Sequence, residues 1–491
     1  NPEHLMGAPS VKLEPRREDE PSSLLPSFNQ ERDLVFAEWF RETGAPYRPF
    51  HIVECVRISG GVNARSLETS LNKIIGRHAA LRTSFLPTPG VPPVFRAANL
   101  LISARTGIVT SGLYQQCIAT SAYCPVRAKD LSALPLHEQN LEIQRLLTEE
   151  SEPPFDYRKP PLMRALLLKL ATTEHLLTVI IHHLVSDMIS QRIFRRELRL
   201  FYEESVGGLC SLPELLVHYP DFAAWQHKYL DSGIFAHDIR YWKRQWFAAE
   251  SAQVRYTETP ERLRKSTATT FTAGFETLIL APEISAELRA SAKRLHVTLY
   301  TFFLASLLLV LRRWVQRNSV AVWVNFANRR LPETQNVIGW FVHAHLLHVE
   351  IGPSQTGHAL LRDVARAVLE SARHAHVPAT VAWRALKRPP RFTDLRIAFD
   401  LYTEEGASET VAASGRIKFE RLPGVVLRRF RNPVGLEVLA VDGQPAITLA
   451  VGFDLGKFSS EGIQEILRSL QNASITLATR PEDQCSTERL L

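Results

Sequence analysis

The chain has 491 residues, of which 45% are hydrophobic and 22% charged, and its formal net charge is +7. These proportions are typical of a globular protein and exclude a disordered, collagen-like or repeat-built chain. Because a single core rarely fills so long a chain, we expect two lobes.

The positive charge is scattered, apart from short clusters such as Arg195-Arg196 and residues 428–431. We therefore expect no nucleic-acid partner, because acidic protein surfaces suit such a distribution as well. The five cysteines lack zinc-type or C-x-x-C spacing, which favours a reducing cytoplasm without structural disulfides. No signal-peptide pattern opens the chain, and the longest apolar block, 302–311, is too short to span a bilayer. We expect a cytoplasmic protein with no membrane association.

The first half begins with residues 1–24, which are rich in Pro, Glu and Arg and which we interpret as a linker or arm. Several prolines and glycines between 85 and 130 predict a long loop that carries an insertion. The apolar, β-branched stretch HLLTVIIHH at 175–183 predicts a buried strand. A helix follows, which Ser186 or Asp187 can cap.

The second half predicts two helices, at 219–230 and 297–314, and two strands, at 320–327 and 338–351. Alternating helices and strands in both halves indicate two α/β lobes. We divide the chain into an N-terminal lobe at 25–215, a C-terminal lobe at 216–480 and a tail at 481–491.

Two adjacent histidines, His182 and His183, close the predicted strand at 175–183. Successive strand side chains point to opposite faces, so only one of the two can face a given cavity. The ordinary interpretation of either histidine is a core residue whose ring nitrogens are hydrogen-bonded. Asp187 is either a plain N-cap or a member of a buried ion pair that fixes the loop carrying His183.

A metal site is an alternative use of the histidines, because His343 and His345 would share a face of their strand and could join His183. No carboxylate or cysteine at ligand spacing accompanies them, so we expect no metal.

Five motifs, in order, resemble those of the condensation domains of nonribosomal peptide synthetases. HHLVSDMIS, from His182, fits the HHxxxD core of that family, and the others are SFNQERDLVF from Ser27, RHAALRTSF from Arg77, YPDFAAW from Tyr219 and IGWFVH from Ile338. Lesser similarities, among them NFANRR at 325–330, extend the resemblance over 25–480. The resemblance implies an α/β fold of two chloramphenicol-acetyltransferase-like lobes, arranged in a V around a central tunnel.

The resemblance also implies an enzyme that transfers a peptidyl or polyketide acyl chain from a carrier-protein thioester to an amine or hydroxyl. The product is an amide or an ester in antibiotic biosynthesis. His183 carries over as the catalytic residue, since an imidazole can accept a proton from the nucleophile or align it. His182 carries over as structural, and Asp187 as the ion-pair partner of Arg82, so that losing either would strand a buried charge at about 3–5 kcal/mol.

No intrinsic cofactor is implied, because phosphopantetheine arrives on an acyl or peptidyl carrier protein, which a basic surface suits. The acceptor is a small molecule or a second carrier-bound group. The sequence contains neither a Walker A string nor G-x-S-x-G, so it indicates neither nucleotide use nor a serine hydrolase. Adenylation and carrier domains are absent too, so we expect a free-standing monomer, although an excised segment would look the same.

Three departures from the family matter: Met188 replaces a glycine, His343 replaces an asparagine, and the 85–130 loop is longer. A side chain at 188 narrows the space beside His183 or re-aims its loop. The candidates for lining the tunnel are Met188, Ser190, Trp340, His343 and Trp225, although core packing suits the aromatic residues equally. Met188 also keeps open a second function, a catalytically silent domain that docks or gates carrier proteins.

Overall fold

The computed structural model describes residues 12–15, 25–43, 51–91, 112–265, 273–386, 395–403, 409–410, 417–421 and 435–485. Most of the predicted arm at 1–24, the middle of the predicted insertion and the basic cluster at 428–431 lie outside these ranges.

The first lobe is built around a mixed sheet. Its elements are α1 (Phe28–Thr43), β1 (His51–Ser59), α2 (Ala64–Arg77), β2 (Thr83–Pro87), β3 (Tyr114–Ile118), β4 (Val126–Asp130), α3 (Leu136–Ser151), β5 (Met163–Ala171), β6 (Glu174–His182) and α4 (Met188–Ser205). β6 lies between β1 and β5, antiparallel to both, and β4 pairs with β5 in parallel. β2 and β3 form a separate antiparallel pair.

The second lobe has a sheet of its own. Its elements are α5 (Tyr219–Asp231), α6 (Ala236–Glu250), β7 (Ala273–Ile279), α7 (Pro282–Arg294), α8 (Leu299–Val315), β8 (Ser319–Phe326), β9 (His343–Glu350), α9 (Gly357–His374), α10 (Ala379–Arg384), β10 (Arg396–Thr403), β13 (Gly435–Asp442), β14 (Ile447–Asp454) and α11 (Ser460–Thr479). The strands of the sheet run in the order β7-β14-β13-β10-β8-β9. The apolar α8 is buried from Thr301 to Leu311, which confirms its predicted central position.

Two short strands from the second half belong to the first sheet. β11 (Glu409–Thr410) pairs with β12 (Lys418–Arg421), and β12 continues the sheet antiparallel to β1, with Val56 opposite Arg421. The chain thus returns to the first lobe within the range predicted for the second. A single division near residue 215 does not describe these strands, because edge pairing joins segments that are far apart in sequence.

Most of the predicted elements are present, with shifts of a residue or two at their ends. The strand predicted at 175–183 is β6, and His183 instead opens a 3₁₀ turn, His183–Val185. The predicted loop at 85–130 is wrong at its ends, where β2, β3 and β4 lie. The strand predicted at 338–351 is wrong over 338–342, because these apolar residues pack between the lobes and only His343–Glu350 is strand.

Both predicted terminal segments contribute contacts to the lobes. Leu13 is 1% exposed and belongs to the hydrophobic core of the first lobe. Residues 481–485 pack on the second lobe, where Gly357 N donates to Asp483 O at 3.1 Å and Cys485 N to Gln355 O at 2.7 Å. No single helix in the described ranges is long and apolar enough to cross a membrane, and α7 with α8 meets that test only as a pair bent by 104°.

Candidate active site

The loop that carries the two histidines is fixed by hydrogen bonds to its backbone. His182 is the last residue of β6, and its Nδ1 accepts from Leu184 N at 3.1 Å. Gln30, from α1, donates through Nε2 to Leu184 O at 2.7 Å. The first motif therefore supports the turn that begins at His183.

The two imidazoles lie in different surroundings. His182 is 1% exposed, and its ring makes edge contacts with Tyr157 at 5.0 Å and His51 at 5.5 Å between centroids. His183 is only partly buried, and its ring lies against Trp340 with the centroids 4.6 Å apart. Solvent therefore reaches the His183 side chain and hardly reaches His182.

Asp187 joins the histidine loop to the second lobe. It caps α4, accepting from Ser190 N at 2.8 Å through Oδ1, and Oδ1 also accepts from Arg329 at 2.9 Å. Oδ2 accepts from Phe341 N at 3.0 Å. The cap and the ion pair, which the sequence left as alternatives, are thus both formed by one carboxylate, which is 2% exposed.

The ion-pair partner is Arg329, and the prediction that Arg82 pairs with Asp187 is wrong. Arg82 ends a 3₁₀ turn, and its guanidinium donates to Gly76 O at 3.3 Å and Ala119 O at 2.5 Å. Those carbonyls lie at the end of α2 and just after β3, so Arg82 links elements within the first lobe and does not reach the histidine loop.

Arg329 is held firmly in the position that meets Asp187. Its Nη1 donates to Thr334 O at 2.7 Å and Val337 O at 2.6 Å, and its guanidinium lies 4.2 Å from the centre of the Phe341 ring. The side chain is 5% exposed. The signal for this residue in the sequence is NFANRR, whose fifth residue it is, although that string does not identify its partner.

The other motifs converge on the segment 338–342. Tyr219 donates its hydroxyl hydrogen either to Trp340 O, 2.6 Å away, or to Ser27 Oγ, 2.8 Å away. A Cβ at Gly339 would overlap the Tyr219 ring, so glycine is needed there. Three motifs that are far apart in sequence therefore meet at one contact between the lobes.

His78, which sequence reasoning did not single out, is a second buried link between the lobes. It is 0% exposed, and its Nδ1 accepts from Ile338 N at 3.2 Å. Nε2 lies 2.8 Å from Glu197 Oε2, so this nitrogen carries the proton and donates it. Burial lowers the pKa of His78, and Glu197 opposes that shift. A neutral imidazole therefore fits both of its partners.

Two of the predicted tunnel candidates, Met188 and Trp340, lie beside the histidine loop, and the others pack inside the protein. Met188 is partly exposed beside the histidine loop, and Trp340 contacts His183. Ser190 is 0% exposed, and its Oγ lies 2.8 Å from Asp187 Oδ1 and 3.1 Å from Gly339 N, so it belongs to the interlobe network. Trp225 packs among aromatic rings, 5.8 Å from Phe222 and 5.9 Å from Phe235.

His343 is also buried, and its Nδ1 lies 2.8 Å from Ala375 O. Burial lowers the pKa of His343 to about 4. His345 stacks on Trp242 with the centroids 3.7 Å apart. Within the described ranges, neither of these histidines joins His183 in a group of three potential metal ligands.

These two sheets, with the HHxxxD loop between them, define the condensation-domain fold. The family model for the condensation domain matches residues 105–491, and the chain belongs to that family. Bacitracin synthase 1 of Bacillus licheniformis is 26% identical over 89% of this chain and 8% of its own length. Phosphinothricin tripeptide synthetase PhsC of Streptomyces viridochromogenes is 30% identical over 74% of this chain and 31% of its own length. The chain thus spans less than a third of these curated relatives.

Solved structures support the same fold. The SgcC5 protein of Streptomyces globisporus, crystallised with (R)-(-)-1-(2-naphthyl)-1,2-ethanediol and sucrose, matches 94% of this chain and 99% of its own, with a TM-score of 0.72 and 18% identity. The X-domain of teicoplanin biosynthesis, in complex with OxyB, matches 99% of both chains with a TM-score of 0.70 and 18% identity. The predicted α/β fold of two acetyltransferase-like lobes is confirmed.

Proposed function

We propose that this chain transfers an acyl group from the phosphopantetheine thioester of a carrier protein to an amine or hydroxyl acceptor. One observation carries the proposal. His183 is partly exposed, while the residues that hold its loop are buried and hydrogen-bonded. A fixed, accessible imidazole beside an aromatic ring suits acyl transfer, because positioning the nucleophile supplies much of the rate.

In the proposed step, the acceptor nitrogen or oxygen attacks the thioester carbonyl, a C–N or C–O bond forms, and the C–S bond breaks. His183 accepts the proton of the nucleophile or holds it in line, and the phosphopantetheine thiol leaves with a proton. Asp187 takes no part in this transfer, since it is occupied by donors from Ser190, Arg329 and Phe341. Its role is to hold the loop.

The acceptor decides whether the product is an amide or an ester. The diol bound by SgcC5 supports a hydroxyl acceptor, whereas the tripeptide synthetase among the relatives supports an amine. Met188 is the residue of this chain that bears on the choice, since its side chain occupies the start of α4 next to the histidine loop. We propose that it selects for acceptors that approach His183 through a narrower opening.

The test is intact-protein mass spectrometry of a carrier protein loaded with a short acyl chain, mixed with this protein and a panel of amines and alcohols. We expect acyl loss with one acceptor class, abolished by His183→Ala and preserved by His137→Ala, which removes an exposed histidine of the same lobe. Met188→Gly widens the set of accepted nucleophiles. A carrier that stays loaded with every acceptor contradicts the proposal.

The second candidate is a docking domain that binds a partner without forming bonds. It is favoured by the match to the X-domain of teicoplanin biosynthesis, which is described as a complex with OxyB. In that case the loaded carrier protein binds, as biolayer interferometry would measure, but keeps its acyl chain. Binding that persists in His183→Ala, together with no unloading by the unaltered chain, would establish this function in place of the first.

A further inference from the structure

A cluster of histidines and carboxylates lies where the first turn of α6 meets the last turn of α9. His237 and Asp238 belong to α6, His374 is the last residue of α9, and His376 follows it closely. One ligand atom each from His237, Asp238 and His374 lie within 4.8 Å of one another. We propose that these three side chains bind a divalent transition-metal ion, and Zn²⁺ is the ion that two imidazoles and a carboxylate suit best.

His374 is oriented as a metal ligand would be. Its Nδ1 lies 2.5 Å from Asp238 Oδ1, and its Nε2 lies 3.4 Å from Glu370 Oε1. A histidine that binds zinc through one nitrogen usually donates its other N–H to a carboxylate or carbonyl. The Tyr241 ring stacks on this imidazole with the centroids 4.0 Å apart, which fixes the ring plane.

Asp238 is supported on its second oxygen. The side chain of His376 is 10% exposed, and its Nε2 lies 3.4 Å from Asp238 Oδ2. This imidazole can hold Oδ2 while Oδ1 faces the ion, because a ligating carboxylate is usually hydrogen-bonded itself. His237 is exposed, so an ion reaches the cluster from solvent.

The contact between His374 and Asp238 must widen to admit the ion, whereas the ligand atom of His237 lies within 4.8 Å of both. Tetrahedral bonds of about 2.0–2.1 Å separate neighbouring ligand atoms by roughly 3.3 Å. The contact of 2.5 Å between His374 and Asp238 must therefore open by less than ~1 Å.

The ion would clamp the segment that positions His343. Ala375, between His374 and His376, provides the carbonyl that lies 2.8 Å from His343 Nδ1. Trp242, also on α6, donates its indole N–H to His374 O at 2.7 Å. The site is therefore structural: it joins α6 to the end of α9 and, through Ala375, supports β9.

The experiment titrates tag-free, chelator-stripped protein with Co²⁺ and follows visible absorbance, with Zn²⁺ added in competition. We expect saturable bands at one ion per chain that Zn²⁺ abolishes, and a higher Tm with Zn²⁺. His237→Ala and Asp238→Asn lower the affinity at least about tenfold, and Glu370→Gln lowers it about 10–100-fold. His137→Ala, at an exposed histidine of the first lobe, leaves the affinity unchanged.

The absence of saturable Co²⁺ binding would overturn the site, as would an affinity that His237→Ala and Asp238→Asn leave unchanged. Because His237 is exposed, its replacement tests the site without disturbing a buried position. Metal binding and acyl unloading are separate readouts, so failure of one leaves the other intact.

Discussion

Replacing Arg329 by methionine removes the cation from an ion pair that is almost fully buried. The side chains of Arg329 and Asp187 are 5% and 3% exposed, with 2.9 Å between the charged atoms. Stranding one partner of such a pair costs about 3–5 kcal/mol. Asp187 keeps three donors, from Ser190 and Phe341, which lowers the cost. The carbonyls of Thr334 and Val337 lose their hydrogen bonds from the guanidinium, and each loss adds about 1 kcal/mol to the cost. We therefore expect a loss of about 3–5 kcal/mol in the free energy of unfolding.

Arg82→Met is the matched control, since it also removes an arginine from a family motif. Arg82 is partly exposed and donates only to two backbone carbonyls, so we expect a loss of about 1–2 kcal/mol. Urea unfolding followed by tryptophan fluorescence measures both. The double variant Asp187→Asn with Arg329→Met should lose less than the two single losses together, because the neutral amide no longer needs a cation.

Equal destabilisation by Arg82→Met and Arg329→Met would refute the assignment of the ion pair to Arg329. Additivity of the changes at 187 and 329 within a few tenths of a kcal/mol would refute it as well, since it would mean that the two charges do not interact.

Three further predictions follow from the contacts of single residues. His183→Ala should reduce acyl unloading by at least about 100-fold at a stability cost below about 1 kcal/mol, whereas His182→Ala should cost about 1–3 kcal/mol, measured by mass spectrometry and urea unfolding. Equal stability losses would contradict the different burial of the two rings. Gly339→Ala should lower stability by about 1–3 kcal/mol in thermal unfolding, because the new methyl group overlaps the Tyr219 ring, and an unchanged Tm would show that the ring moves freely. Burial lowers the pKa of His343 to about 4, below the unfolded value near 6.5. The neutral imidazole therefore contributes fully to the free energy of unfolding above about pH 6.5, and this contribution is lost as the pH falls towards 4. The loss reaches about 3 kcal/mol, and His343→Gln should flatten the pH dependence of unfolding between these limits.

Local patterns in the sequence predicted the elements around the site well. Apolar, β-branched residues before His183 indicated β6, and Asp187 indicated the start of α4, because strand burial and helix capping depend on neighbouring residues. The strand predicted at 338–342 is wrong because local composition does not distinguish the two kinds of burial. The apolar residues of this segment are buried against the other lobe, and a buried strand has the same composition.

The contacts between the lobes could not be predicted from pattern. Arg82 and Arg329 both lie in motifs, and nothing in their local sequence shows which one reaches Asp187. That depends on how β8 and its following turn pack against α4. The tautomer of His78 is set in the same way by Ile338 and Glu197, residues distant in sequence.

The return of β12 to the first sheet has a consequence for the order of events during synthesis. Until residues 418–421 leave the ribosome, β1 has an unpaired edge, although β6, its other neighbour, has long been complete. At about 5–20 residues per second, the roughly 240 residues between β6 and β12 take on the order of ten to fifty seconds. An open strand edge is a template for pairing with other chains, so a nascent chain of this protein depends on rapid completion or a chaperone in that interval more than its finished fold suggests.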